Sequence, residues 1–135
     1  MGSRVLACRP DYLSVEHQAY EGLTRRRSIS FVKAHDFVIT DEVKGPATGR
    51  LTLRLGLGPG TVTRTAPGEY CYRDGDAGLR IVLRGPEGSR DSVDQDWYSE
   101  AMHQKALRPV LRLDVDRDGG AGVQRFVTRI TPIQF

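Results

Sequence analysis

Apolar and polar residues alternate most cleanly between Arg50 and Leu57. Leu51, Leu53, Leu55 and Leu57 occupy one parity, and Arg50, Thr52 and Arg54 the other. A helix would spread these leucines around its circumference, whereas a strand gathers them on one face, so the pattern predicts a strand with a buried leucine face and an arginine-bearing solvent face. Gly58-Pro59-Gly60 ends it.

The same period of two recurs along the chain. Ser28 and Ser30 alternate with Ile29 and Phe31, which predicts a half-buried strand entered through Arg25-Arg26-Arg27. Lys33 to Asp36 is polar and short, as a hairpin connection should be, and Phe37-Val38-Ile39 resumes the apolar run until Asp41-Glu42. Further strands are expected at Arg4–Cys8, stopped by Pro10, at Tyr12–His17, Thr61–Thr65, Glu69–Arg73, Leu79–Arg84, Pro109–Val115 and Val123–Thr131, stopped by Pro132. Asp74-Gly75-Asp76 is a hairpin signal, Lys44–Gly49 a loop and Asp116–Gly122 an exposed turn. Ser89–Asp96 is polar and acidic and leads into Trp97-Tyr98-Ser99. Only Glu100–Ala106 is helix-permissive, and it is too short to stand alone. About ten short strands between Gly/Pro turns predict an all-β chain, an antiparallel β-sandwich of two packed sheets.

Composition narrows this picture. At 135 residues the chain has the size of one domain spanning 1–135, able to bury a core without staples. The net charge is +3, and only Lys33, Lys44 and Lys105 among the cations are lysines. Arginine's planar fork suits carboxylates, sulfates and phosphates, but the arginines alternate with acids and lack interleaved aromatics, which argues against a nucleic-acid partner. The competing reading is a solvated, arginine-biased surface. Cys8 and Cys71 form no metal motif; they are read either as a pair for an oxidising compartment or as two small buried hydrophobes. No secretory leader opens the chain and no run reaches membrane-spanning length, so a soluble chain with no membrane span is expected, its compartment left open.

Candidate chemistry is sparse. The three histidines, His17, His35 and His103, form no zinc-binding pattern, and no serine sits in a nucleophile elbow, so no metal and no cofactor is expected. His17 and Tyr20, three apart at a strand end, are the weak candidates for a base and an acid acting beside a carboxylate. His35 falls in the expected turn and His103 in the helix-permissive piece, where a solvated residue is the simpler reading. Arg26 and Arg27 are candidate anion ligands. The alternative is a strand entrance with one structural ion pair, for which Asp41-Glu42 is the acceptor, because the hairpin returns beside the arginines. Trp97 and Tyr98 are candidates for a sugar-stacking platform or, alternatively, for core.

The order HQAY (17–20), RRRSISFVKAHDFVITDEVKG (25–45), LTLRLGLGPG (51–60), WYSEAMHQ (97–104) and TRITPI (128–133) resembles the C-terminal β-sandwich region of heparinase II/III-like polysaccharide lyases. The resemblance implies a sandwich of the kind that follows an α/α-toroid and a history in cleaving acidic polysaccharide by β-elimination. In that chemistry a base removes the proton at C5 of a uronate, a neighbouring group neutralises the carboxylate, and an acid, usually tyrosine, protonates the leaving oxygen. The chain departs from the family pattern at Arg25 and Gly56, where a histidine is often found, and at Glu100, Met102 and His103, which replace a proline and an aromatic-glycine pair. No residue is carried over as catalytic. His17, Tyr20, Arg26, Arg27, Trp97 and Tyr98 match only as positions. The resemblance implies a chain inactive alone, packed against a toroid domain in cis or in trans, with an acidic polysaccharide as partner. The rival readings are an acidic-carbohydrate-binding module using the arginine-rich face with Trp97 and Tyr98, and a self-sufficient lyase using His17 and Tyr20.

Overall fold

The alternating runs become strands, and their pairing sorts them into two antiparallel sheets of unequal width. A computed structural model describes residues 12–17, 24–32, 36–45, 49–101, 104–117 and 123–134, with backbone alone for 12–17, 32, 96–101, 104–106 and 117. Its strands are β1 (Tyr12–His17), β2 (Thr24–Val32), β3 (Asp36–Lys44), β4 (Gly49–Gly56), β5 (Thr61–Ala66), β6 (Glu69–Asp74), β7 (Ala77–Arg84), β8 (Arg90–Ala101), β9 (Gln104–Arg117) and β10 (Gln124–Gln134). One sheet has the order β1-β4-β9-β8, the other β2-β3-β10-β7-β6-β5. Neighbours distant in sequence, such as β4 beside β9 and β3 beside β10, make this a sandwich rather than a string of hairpins.

The leucine run behaves as its period demands. Leu51, Leu53 and Leu55 on β4 stand directly opposite Val115, Leu113 and Leu111 on β9, and all six are buried. The six-stranded sheet meets them with Val43, Phe126, Ile130, Leu79, Ile81, Leu83, Tyr70 and Tyr72. Burial of one face across paired strands pins the register, because a one-residue slip would turn every leucine outward. Two turns depend on glycine. Gly75 closes the β6–β7 hairpin at φ 66°, a conformation that favours glycine. A Cβ on Gly60 would lie 2.6 Å from the Tyr72 ring and 2.7 Å from the Arg73 carbonyl oxygen.

Several expectations need correction. Glu100-Ala101 and Gln104–Ala106 are strand, not helix: Ala101 pairs with Gln104 at the closed end of the β8–β9 hairpin. Seven residues cannot nucleate a helix against two long strands that already pair. The polar lead Ser89–Asp96 is itself strand from Arg90, at the outer edge of the smaller sheet. Asp41-Glu42 lies inside β3 rather than at its end. Pro132 does not stop β10, which runs to Gln134 against β7. The ladder to β3 has ended at Ile130↔Phe37, so proline sits where one flank of the strand has no ladder partner among the described residues. Thr52 is buried rather than solvent-facing, donating to Asp114 Oδ1 at 2.5 Å. The strand expected at Arg4–Cys8, together with Tyr20, His35 and His103, lies outside the described residues.

The largest difference concerns β2. Ile29 and Phe31 share the inward parity of Ile39 and Phe37, their partners in register, yet they are 60% and 68% exposed. Six strands facing four leave an overhang, and β2 is the edge strand within it.

Candidate anion-binding surface

Parity divides the wider sheet into an inner face and an outer face, and most of its arginines collect on the outer face. The strand registers build it. Arg26, Glu42 and Arg125 lie in one row across β2, β3 and β10. Arg129, Val82 and Glu69 lie in another across β10, β7 and β6. Arg84 stands opposite Val127, and Arg80 opposite Thr131 and Cys71, so Arg80 and Arg84 flank Val82 two residues away on either side. Arg73 completes the parity on β6.

Three carboxylates hold these guanidinium groups in place. Arg125 Nη2 donates to Glu42 Oε2 at 2.7 Å. Arg129 Nε donates to Asp36 Oδ2 at 2.7 Å. Glu69 bridges two arginines, accepting from Arg80 at 3.3 Å on one oxygen and from Arg84 at 3.2 Å on the other. Hydrogen bonding to Arg125 lowers the Glu42 pKa, and bonding to Arg84 and then Arg80 lowers that of Glu69. Both carboxylates are therefore ionised at neutral pH. Among the described residues the cations outnumber the acids on this face: Arg26, Arg73, Arg80, Arg84, Arg125 and Arg129, with Lys44 on the same parity, share it with Asp36, Glu42 and Glu69. A groove of about 460 Å³ lies among Arg80, Arg84, Arg129 and the carboxylates of Asp36 and Glu69, over Val82.

Two further polar clusters are structural. Arg27 faces the other way from Arg26 and donates to Asp41 Oδ1 at 2.8 Å. Asp41 is fully buried, and its second oxygen has no hydrogen-bond partner among the described residues. The expected Arg–Asp pair across the hairpin is thus present. The second cluster joins the sheets. Asp91 on β8 accepts from Arg64 on β5 at 2.8 and 3.1 Å and from the buried Tyr70 hydroxyl on β6 at 2.5 Å. Hydrogen bonds from Arg64 first, and then Tyr70, hold the Asp91 carboxyl well below the usual carboxylate range. Burial, followed by the hydrogen bond to Asp91, pushes the Tyr70 hydroxyl up and keeps it a donor.

Those of the residues singled out from sequence that are described do not converge. His17 ends β1 opposite Leu51, which faces Val115 on β9. Trp97 and Tyr98 lie on β8 opposite Leu107 and Ala106. Eight residues along the strand and three strand spacings across put His17 and Trp97 at diagonal corners of the smaller sheet, roughly 30 Å apart at ordinary strand dimensions. Arg26 and Arg27 belong to the other sheet, on opposite faces of it. Of the four candidate ligands, Arg26 is the one described on the arginine-rich face. Arg80, Arg84, Arg125 and Arg129 were not singled out from sequence. Their alternation with Leu79, Ile81, Leu83, Phe126 and Ile130 marks them as outward-facing but does not say that β7 and β10 are neighbours.

Fold and surface together define a class: an unequal antiparallel β-sandwich bearing an arginine-rich outer sheet. The family model for the C-terminal region of heparinase II/III-like proteins matches residues 6–126, and the chain belongs to that family. A heparin-sulfate lyase of Bacteroides stercoris is 29% identical over 124 residues, covering 90% of this chain and 18% of that protein. A heparinase III solved with methylated lysines superposes with a TM-score of 0.79 at 27% identity, over 91% of this chain and 19% of that one. The heparan sulfate lyase of Pedobacter heparinus shares the fold, with a TM-score of 0.74 at 20% identity over 95% of this chain and 22% of that one. The chain thus spans about a fifth of the length of these relatives.

Proposed function

We infer that this chain serves as the C-terminal β-sandwich of a lyase acting on acidic polysaccharide, that it is catalytically silent alone, and that it packs against an α/α-toroid domain in cis or in trans, walling one side of a glycan cleft. The observation that carries this reading is the overhang of the wider sheet. Ile29 and Phe31 lie on the inward face beside Ile39 and Phe37, and the Phe31 and Phe37 rings meet at 4.7 Å, yet both β2 side chains are largely exposed. An apolar strip of this kind, on the edge strand of a sheet wider than its partner, is suited to cover by a further domain. β-Elimination needs a base, an acid and a carboxylate neutraliser at one place. Among the described candidates, His17 lies on the smaller sheet and Arg26 on the outer face of the wider one, so this base and this carboxylate neutraliser do not share a site.

The test is an absorbance assay for unsaturated uronate product, with the chain alone presented to heparin, heparan sulfate and alginate. No product is expected. Turnover by the isolated chain would overturn the reading and return attention to His17 and Tyr20.

A further inference from the structure

We propose that the outer face of the six-stranded sheet is a second, non-catalytic glycan site, in which Arg80, Arg84 and Arg129 hold the sulfo or carboxylate groups of an acidic polysaccharide. The proposal rests on the reading that the chain serves an acidic-polysaccharide lyase, and it assigns that chemistry to residues remote from the core and from the apolar overhang. Three observations converge on it. The first is arrangement: Arg129 stands opposite Val82, and Arg80 and Arg84 lie two residues to either side of Val82. Three guanidinium groups therefore surround one half-buried apolar residue, at the diagonal and i±2 spacings that long side chains bridge. The second is space. The groove between them, about 460 Å³, falls within the range of small-ligand sites. The third is unused donor capacity. A guanidinium presents five N–H donors, and Arg80 gives one nitrogen to Glu69 while Arg84 gives one to Glu69 and one to backbone carbonyls.

The pattern suits a linear polyanion better than a single ion. Arg125 lies four residues from Arg129 on β10, about 13 Å away at strand rise, and Arg26 continues the row beyond Glu42. Cations are therefore strung diagonally across the sheet rather than focused on one point. Arginine rather than lysine supplies the fork that carboxylate and sulfo oxygens accept in pairs. Glu69 plays two parts. It orients Arg80 and Arg84 when the groove is empty, and it competes with an arriving anion for the same N–H groups.

This competition makes the test. Binding of a heparin hexasaccharide, of an alginate oligosaccharide and of inorganic sulfate is measured by calorimetry at low and high salt. The proteins are the unaltered chain, Glu69→Gln, the double variant Arg80→Gln/Arg84→Gln, and the charge-matched control Arg50→Gln/Arg90→Gln on the other sheet. Arg129 is left intact, because Asp36 depends on it. Salt-sensitive binding of the oligosaccharides is expected to weaken about tenfold or more in Arg80→Gln/Arg84→Gln. It should tighten in Glu69→Gln and stay unchanged in the control. Preference for heparin over alginate would assign the groove to sulfo groups, and the reverse to carboxylates. Binding that survives Arg80→Gln/Arg84→Gln, or that falls equally in the control, overturns the site while leaving the polysaccharide role standing. Equal affinity for duplex DNA would reduce the surface to a general polyanion footprint and also overturn it. No oligosaccharide binding by the unaltered chain at low salt removes the site, whereas failure of the packing role is read separately in the product assay.

Discussion

Replacing Asp91 should expose how the two sheets are held together. Its carboxylate is the only polar group described here that accepts from both β5 and β6 while sitting on β8 of the opposite sheet. Asp91→Ala leaves the Tyr70 hydroxyl, on a residue with 0% exposure, without its acceptor, at a cost of about 1–3 kcal/mol for an unpaired buried donor. Arg64 has a side chain 48% exposed, so it regains water, and its half of the ion pair adds only about 0–1 kcal/mol. The expected loss is about 2–3 kcal/mol, read as a lower urea midpoint at unchanged slope. Asp91→Asn keeps an acceptor for Tyr70 and should lose less. Adding Tyr70→Phe to Asp91→Ala removes the orphaned hydroxyl and should recover about 1 kcal/mol or more. The pH dependence has a definite sign. The folded-state pKa of Asp91 lies below its unfolded value, so as pH falls the unfolded chain takes the proton first. The contribution is complete above the ordinary carboxylate pKa and is lost as pH drops below it towards the folded value. Asp91→Asn should flatten that acid limb. Strictly additive Asp91→Ala and Tyr70→Phe effects, or an acid limb unchanged in Asp91→Asn, would refute the inter-sheet latch.

Other perturbations follow from burial and pairing. Leu53→Ala, at 1% exposure between Leu113 and the opposing sheet, should cost about 3 kcal/mol in urea unfolding. Phe31→Ser, at 68% exposure, should cost the isolated chain only about 0.5–1.5 kcal/mol, the worth of its ring contact with Phe37; a loss well above that would mean that the overhang is already covered. Arg27→Ala strands the fully buried Asp41 and should cost about 3–5 kcal/mol, with Arg27→Met/Asp41→Leu recovering most of it.

Much of the local structure was legible in the chain. Leu51 to Leu57 alternate strictly, and that alone makes them one buried face of a strand. Asp74-Gly75-Asp76 names its hairpin because Gly75 accepts the positive φ that closes it. The Arg27–Asp41 pair could be expected because a short connection returns β3 antiparallel beside β2. The helix-permissive stretch Glu100–Ala106 misled, since weak local preference yields to pairing between strands as long as β8 and β9. The candidate site was less legible. Arg80, Arg84 and Arg129 each alternate with apolar neighbours, but nothing near them in the chain says that β10 inserts between β3 and β7.

The sequence by itself therefore determined the existence of most strands, the leucine face that turns inward, the hairpin at Gly75, and the family to which the order of its segments corresponds. Those properties are set within a few residues by backbone geometry, turn chemistry and the period-two pleat. Only the tertiary structure decided sheet membership, the unequal widths that leave Ile29 and Phe31 uncovered, the separation of His17 from Trp97 and Tyr98, and the gathering of arginines around Val82. Each of these depends on which distant strands become neighbours. That choice is made by burying the leucine face of one whole sheet against the other, a free energy summed over the entire core and carried by no single segment.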